Sequence, residues 1–236
     1  MKYKIWTFAL STLFALSGCG ASNEDWASKD PSAIAVSSSS FDIAAGWSQL
    51  VWAGYTKTFF FSQTNSSCDG TLQILQTPAE IYDATSPKYV YQNTLSYTER
   101  YYNCANQTAR ATLNIKQNNW FSRNFGNSYV SVNQQIGDWA TPAVFPQAAR
   151  VGQTGVIGQF TNFDSTGAPA GVEQWTYSLE EDTATTAKFR LIMKANDAND
   201  QWIGSEENIF RVSPNNTLKL ISVTKKYPSG FHIEAE

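Results

Sequence analysis

The stretch Ala187-Lys188-Phe189-Arg190-Leu191-Ile192-Met193-Lys194 alternates apolar and basic side chains over most of its length. In an extended chain, successive side chains point to opposite faces, so the apolar residues share one face. Lys188, Arg190 and Lys194 then share the other face. This period of two predicts a half-buried β-strand, with one face on a core and the other in water.

The segments on both sides of this stretch repeat the pattern and are separated by turn sequences. The predicted strand faces are Trp175, Tyr177 and Leu179 before it and, after it, residues 202–212 and residues 218–227 with Ile221 and Val223 facing inward. Between them, residues 196–200 and 213–216 contain Asp, Asn, Ser and Pro, which favour turns. Strands joined by such short connections predict an antiparallel meander.

The first half of the chain shows similar alternation after a less regular start. The spacing of Ile43, Trp47 and Leu50 is compatible with a short helix, and residues 56–61 favour a strand. Alternating faces follow at Leu72 and Ile74, at Tyr89, Tyr91, Leu95, Tyr97 and Tyr101, and at Ala111, Leu113 and Ile115. We find no long amphipathic helical pattern, so little helix is expected.

The composition agrees with a β-rich body. Only 16% of the residues are charged and 14% are aromatic, a balance that suits sheets more than helices. Residues 137–158, which contain several Pro and Gly, could separate two subdomains, but each half alone would be a small sheet with an uncovered apolar face. We therefore expect one mainly β domain over residues 41–236, an antiparallel meander forming a two-layered sheet, sandwich or half-barrel.

The amino terminus has the pattern of a secretory signal. A cationic start is followed by about a dozen apolar residues ending at Leu16, too few to span a bilayer, which needs roughly 20. The run ends in Leu16-Ser17-Gly18-Cys19, which resembles the lipobox of bacterial lipoproteins at all four positions. The resemblance implies a signal peptide over residues 1–18, lipid attachment at Cys19 through acyl chains such as palmitate, and a flexible tether over residues 19–40.

The same resemblance implies a place in the bacterial cell envelope. Gly20 follows the cysteine, which resembles an outer-membrane address rather than an inner-membrane one. Removal of Lys2 and Lys4 with the signal would change the formal net charge from −3 to −5. A mildly acidic body has no long-range attraction for nucleic acid or anionic head groups. The acyl chains are therefore expected to provide the membrane attachment.

Two further cysteines, Cys68 and Cys104, would lie in an oxidising compartment. An even pair there predicts one structural disulfide, which would close a loop of about 37 residues and stabilise the fold by up to about 4 kcal/mol. A redox or metal site is less consistent with the sequence, because it has no Cys-x-x-Cys and only one histidine.

No catalytic residue, cofactor or metal ligand is predicted. The single histidine, His232, lies four residues from the carboxyl terminus, where residues are usually poorly held, and Gly-x-Ser-x-Gly is absent. The acidic clusters at residues 180–182 and at Glu206-Glu207 are interpreted as solvated strand ends rather than a glycosidase pair. Residues 197–200 are interpreted as a turn and not a calcium loop, and residues 152–158 as a turn entering a strand.

The tryptophans leave two interpretations open. They are Trp47, Trp52, Trp120, Trp139, Trp175 and Trp202 in the predicted folded region. Each one taken singly is expected to be a core residue, but some could form a sugar-stacking platform or line a lipid-binding concavity, because aromatic rings offer large rigid contact areas.

Beyond the lipobox, the body resembles, in general character only, uncharacterised β-rich lipoproteins of Gram-negative bacteria. We therefore expect a lipid-anchored, non-enzymatic binding or interaction module with an envelope protein, glycan or lipid as partner. One alternative is an acyl-chain or lipoprotein carrier with a half-barrel pocket, for which a hollow apolar sheet face would be the mark. The other is a hydrolase using two carboxylates from different strands in a cleft.

Overall fold

The computed structural model describes residues 40–62, 68–85, 90–102, 112–122, 128–132, 135–139, 143–230 and 232–236. The predicted signal peptide, the lipobox with Cys19 and all of the predicted tether except Ser40 lie outside these residues. In the described residues the elements are β1 (Ser40–Phe41), α1 (Ile43–Ala53), β2 (Tyr55–Ser62), β3 (Asp69–Gln76), β4 (Glu80–Ile81), β5 (Tyr91–Tyr102), β6 (Thr112–Phe121), β7 (Ser128–Val132), β8 (Gln135–Trp139), β9 (Ala149–Arg150), β10 (Thr154–Phe163), β11 (Pro169–Glu181), β12 (Ala187–Asp197), β13 (Trp202–Val212), β14 (Leu218–Lys226) and β15 (His232–Ala235).

The predicted fold class is confirmed, since the structure is mainly β and antiparallel and contains one short helix in its described part. From β5 to β8 each strand pairs with the next along the chain, and β8 then pairs with β10. From β10 to β15 each strand again pairs with the next. The short strand β9 pairs with β1 in a separate two-stranded sheet. Strand β3 pairs with both β2 and β5, and the last strand returns to β2 through the single pair Phe61–Ala235. The first and last strands of the meander are therefore neighbours.

Side chains from both halves of the meander share one core. It includes Phe59, Leu72, Ile74 and Ile115 from the first half and Leu179, Phe189, Leu191, Phe210, Val223 and Ile233 from the second. Phe189 lies between neighbouring rings, with its centroid 6.0 Å from Tyr177 and 6.2 Å from Phe210. Burial of each such side chain contributes roughly 1.5–3 kcal/mol.

The short helix α1 packs on this core. Its start is fixed by Asp42, whose carboxylate accepts a hydrogen bond from the Ala45 amide at 2.8 Å. It ends at Gly54, which adopts a positive φ of 67°. Trp47 stacks on Phe145 with centroids 4.6 Å apart. The helical spacing seen in the sequence is thus confirmed, and the helix covers the end of the core that is next to the β13–β14 turn.

The strand phases follow the sequence except at one bulge. Leu72, Ile74 and Val223 are buried as predicted. Ile221 is not, because Ile209 pairs with Ser222 and Phe210 pairs with Leu220, which leaves Ile221 in a bulge and shifts the phase of β14. The expectation that Ile221 faces the core with Val223 is therefore wrong.

The predicted turns are confirmed. Asp200 and Asn216 have φ values of 61° and 65°, a left-handed conformation that Asp and Asn adopt more readily than most residues. The strands on either side of residues 140–153 belong to one sheet, because β8 pairs with β7 on one side and with β10 on the other.

Cys68 is buried and disulfide-bonded. Its predicted partner, Cys104, lies outside the described residues, so the bridge between these two cysteines stays a prediction.

Candidate functional site

Four charged residues lie inside the protein and form what we call the ionic cluster: Glu99 on β5, Glu173 on β11, Glu206 on β13 and Lys225 on β14. Their side chains are at most 3% exposed. Sequence analysis placed Glu206 on a solvated strand end, which is wrong. On β13 the even-numbered residues from Gly204 to Val212 face the core, so Glu206 is buried and Glu207 faces outward.

The lysine is the centre of the ionic cluster. Its Nζ lies 2.8 Å from Glu99 Oε1 and 3.9 Å from Glu206 Oε2. The same Nζ lies 4.7 Å from the centroid of the Tyr97 ring, a distance typical of a cation–π contact. One ammonium group thus faces two carboxylates in an interior where charges are weakly screened.

Neutral donors hold the carboxylates in place. Tyr101 donates its hydroxyl proton to Glu99 Oε2 at 2.7 Å. The Nδ2 group of Asn208 donates to Glu206 Oε1 at 2.9 Å, and Trp175 Nε1 donates to Glu173. Two buried acceptors, Glu206 Oε2 and the Oδ1 of Asn208, have no hydrogen-bond partner among the residues that the structure describes. Buried polar atoms are usually satisfied, which makes this pair unusual for a protein interior.

Burial shifts the titration of the ionic cluster. It raises the pKa of Glu173 to about 7, opposed by the Trp175 hydrogen bond and reinforced by the charge of Glu206. Burial also raises the pKa of Glu206, although Lys225 opposes the shift. For Lys225, burial lowers the pKa, but Glu99 and Glu206 outweigh it and the net pKa is raised. The lysine therefore stays charged at neutral pH, whereas Glu173 titrates near neutrality.

A carboxyl group with a pKa near 7 is suited to general acid–base chemistry. It must, however, reach a substrate, and Glu173 and Glu206 are enclosed by the core at 3% and 0% exposure. In the described residues the ionic cluster is thus an interior polar network. Removing one partner of such a network leaves an uncompensated buried charge.

A second polar group, the amide row, lies nearer to α1 and consists of Gln76, Asn93, Gln117 and Asn119. All four are buried. Gln117 Nε2 donates to Asn119 Oδ1 at 2.6 Å, and Asn119 Nδ2 donates to Asn93 Oδ1 at 3.0 Å. Gln76 Nε2, Asn93 Nδ2 and Gln117 Oε1 have no hydrogen-bond partner in the described part of the chain. Such atoms are commonly satisfied by internal water.

Two ring pairs lie near the end of α1 and the paired strands β4, β5 and β6: Trp52 with Tyr91, and Tyr82 with Trp120. Together with the exposed Ile81 we call them the aromatic corner. Ile81 and Tyr91 lie on one side of the sheet and Trp120 lies on the other. Trp52 meets Tyr91 edge to face at 5.6 Å, and Tyr82 meets Trp120 in the same geometry at 6.1 Å. Trp52 is 51% exposed, Tyr82 55% and Ile81 64%. The aromatic corner joins the end of α1 to the paired strands β4, β5 and β6.

Next to the aromatic corner, the outer surface of β5 and β6 is built mainly from amide and hydroxyl side chains. We call it the amide–hydroxyl face: Gln92, Thr94, Ser96 and Thr98 on β5 with Asn114, Lys116 and Asn118 on β6. Thr94 donates to Asn118 Oδ1 at 3.1 Å, and Thr98 donates to Asn114 Oδ1 at 3.0 Å. Lys116 brings one positive charge to this face.

The outer surface of β11, β12 and β13 is different because it is charged. Arg190 donates to Glu180 at 2.9 Å and also pairs with Glu207. Arg211 donates to Asp182 at 2.6 Å, and this hydrogen bond is the main cause of the lowered pKa of Asp182. Exposed ion pairs of this kind contribute about 0.2–1 kcal/mol each. Glu180, Asp182 and Glu207 are each paired with an arginine in this way.

Some of the tryptophans pack against the core and others are exposed to solvent. Trp47 and Trp175 pack against the core, as expected. The core interpretation is wrong for Trp52 and Trp202, which are 51% and 39% exposed. Trp120 is half-buried, and the side chain of Trp139 is outside the described part.

Other sequence-level candidates can now be located. His232 begins β15 and pairs with Lys226, so it is held in the sheet rather than in a loose terminus. Within the described ranges, no group of three His, Cys, Asp or Glu residues is arranged to hold a metal ion. None of the helical structure in these ranges is both long and apolar enough to cross a membrane.

Comparison with known proteins gives no match: no family model, no curated protein and no solved structure matches this chain.

Proposed function

We propose that this protein is a lipid-anchored lipoprotein of the bacterial cell envelope that acts by binding a partner rather than by catalysis. The aromatic corner is the observation that carries the proposal. Trp52 and Tyr82 each have about half of their surface in water, beside Ile81, which is 64% exposed. Large rings of this kind dominate binding energies where proteins recognise partners.

The contrast between the interior and the surface supports a surface site. Core side chains from both halves of the meander already occupy the interior, together with the ionic cluster. A carrier of acyl chains would need an apolar hollow in this place. A carboxylate hydrolase would need access to Glu173 or Glu206, which are buried. The described residues therefore give more support to binding at the aromatic corner than to either alternative.

The proposed anchor fits the same arrangement. A tether of roughly 20 residues between Cys19 and the first strand would have a root-mean-square reach of about 25 Å. It would enter the body at β1, directly before α1, and α1 carries Trp52 at its opposite end. Trp52 would thus lie about 16 Å along the helix from the point where the tether enters the body.

Two measurements test this proposal. The first is membrane fractionation with mass spectrometry of the amino terminus: the native chain should carry acyl mass at Cys19, and Cys19→Ser should move to the soluble fraction. A Cys19→Ser variant that still sediments with membranes would refute the anchor.

The second is co-sedimentation of the purified body, from residue 40 onward, with bacterial envelope fractions. Trp52→Ala combined with Tyr82→Ala should reduce binding at least tenfold, since exposed aromatic anchors carry much of a binding energy. Trp202→Ala is the matched control, because it removes an equally large, partly exposed ring from β13. Equal loss of binding in both variants, or no loss in either, would exclude the aromatic corner as the binding surface.

A further inference from the structure

We infer that the ligand is a neutral glycan chain, bound along the amide–hydroxyl face with one sugar ring stacked on Trp120, the ring of the aromatic corner that lies on this side of the sheet. The inference rests on the proposed function and specifies its ligand class. It comes from the chemistry that the structure brings together at the outer surface of β4, β5 and β6.

Trp120 and its neighbour Tyr82 lie at the end of the amide–hydroxyl face, and Trp120 provides the ring on which a sugar would stack. Trp120 lies opposite Gln92 across the β5–β6 ladder, and Gln92 lies opposite Glu80 across the β4–β5 ladder. These three side chains therefore share the outer side of the sheet. Tyr82 contacts Trp120 edge to face at 6.1 Å, which restricts the orientation of the indole, and the Trp120 side chain is half-buried. A rigid ring at a sheet surface suits the apolar face of a pyranose.

The polar side chains next to Trp120 form an ordered series. On the same side of β6, Asn118 lies two residues before Trp120, about 7 Å away along the strand. Asn114 lies four residues before Asn118, about 13 Å further along. Each asparagine uses Oδ1 to accept from a threonine on β5. Neither Nδ2 group donates a hydrogen bond to any part of the chain that the structure describes.

This arrangement matches hydroxyl-rich ligands. A sugar hydroxyl both donates and accepts, and so do the amides and hydroxyls of this face. Because the threonine contacts orient the amides in advance, less side-chain freedom is lost when a ligand binds. The Nε2 of Gln92 is held similarly, by a 2.8 Å hydrogen bond to Glu80.

The charge distribution disfavours other ligand classes. An anionic polymer would require clustered Arg and Lys. The described outer side of β5 and β6 carries Arg100 and Lys116, but Lys116 faces Ser96, four residues along β5 from Arg100, so the two cations are about 13 Å apart along the strands. The chain as a whole is acidic, with a formal charge of −3. An apolar peptide or acyl chain would leave the free amide groups of Asn114 and Asn118 without partners, which is unfavourable on burial.

The test is calorimetric titration of the purified body with neutral hexasaccharides of glucose and of N-acetylglucosamine, and with polygalacturonate as an anionic probe. We expect at least one neutral hexasaccharide to bind. Trp120→Ala should weaken that binding about tenfold or more, and Asn118→Ala should weaken it about threefold to tenfold. Trp202→Ala should leave it unchanged. The melting temperature of each variant verifies that the fold is intact, and Trp120→Phe should retain part of the affinity.

A second experiment distinguishes failure of the glycan assignment from failure of the proposed binding function. Envelope fractions are treated with periodate, which opens sugar rings that carry two adjacent free hydroxyls, with lysozyme, which cleaves 1,4-linked N-acetylated amino sugars that periodate leaves intact, or with protease, and binding of the body is measured again. Loss after periodate or lysozyme but not after protease supports a glycan, and purified peptidoglycan and lipopolysaccharide then distinguish its source. If only protease abolishes binding, or only the anionic probe binds, the glycan assignment is wrong although the binding function stands. If untreated envelope fractions are not bound, the proposed function itself fails.

Discussion

Replacing Glu173 by Gln should remove a large part of the pH dependence of folding stability. In the folded protein, burial raises the pKa of Glu173 from 4.5 to about 7. The folded state therefore holds a proton that the unfolded state has released between these pH values. Stability from this group is fully present below about pH 4.5 and is lost as the pH rises through 7. The loss over that interval is about 3 kcal/mol.

Glutamine is the appropriate substitution because it keeps an oxygen that accepts from Trp175 Nε1 but does not titrate. Urea unfolding of the native and Glu173→Gln proteins, followed by circular dichroism at pH 5, 6, 7 and 8, gives the difference in unfolding free energy. We expect the variant to gain up to about 3 kcal/mol over the native protein between pH 5 and pH 8. Other carboxyls, such as Asp182, whose pKa is lowered, contribute equally to the unfolding free energy of both proteins. Their contributions therefore cancel when the two unfolding free energies are subtracted.

The control is Glu181→Gln, which changes an exposed carboxyl at the end of the same strand. Its stability curve should run parallel to that of the native protein. A constant offset between the Glu173→Gln and native curves across the whole pH range would refute the reasoning, because Glu173 would then not titrate near neutrality in the folded state.

Three further stability changes are expected, each measured by urea or thermal unfolding. Lys225→Met should destabilise the fold by about 3–5 kcal/mol, because it leaves buried carboxylates without their cation; a loss below 1 kcal/mol would contradict the buried pairing. Gly46→Ala should lower the melting temperature, since its Cβ would lie 2.2 Å from a carbonyl oxygen of the β13–β14 turn, whereas Gln49→Ala on the exposed side of α1 should not. Cys68→Ser should lower the melting temperature and release one free thiol at Cys104, and an unchanged thiol count would exclude the predicted bridge.

Hydrophobic periodicity was sufficient to predict the strands of the second half of the chain. Along β12 every second residue from Ala187 to Ala195 is buried, and a period of two has few other structural explanations. The helix at Ile43–Ala53 was less evident, because its first and last turns are fixed by Asp42 and Gly54 rather than by a strong periodic pattern. The residues around Ile221 contain no sequence signal for the bulge, because the bulge depends on how β14 pairs with β13.

The ionic cluster was missed although the sequence contains a signal for it. Glu99 lies between Tyr97 and Tyr101 at positions that share a strand face, and Lys225 is in phase with Val223. A charged residue at an inward position indicates either a solvated face or a buried partner. Periodicity cannot separate these two cases, because the partner of Lys225 lies 126 residues away. The exposure of Trp52 is equally non-local, since it depends on how α1 docks on the sheet.

The position of the ionic cluster suggests why charges are retained in an otherwise apolar interior. Glu99 belongs to the first half of the meander and Lys225 to the second, and the 2.8 Å contact between them crosses the core. A slip of either strand by one residue would turn its charged side chain outward and bury a neighbour, Arg100 or Lys226, in its place. A buried ion pair adds little net stability over an apolar one, but a mispaired buried charge costs several kcal/mol. The ionic cluster therefore favours one register between the two halves, and that register also fixes the position of β5, whose outer side chains form the amide–hydroxyl face with those of β6.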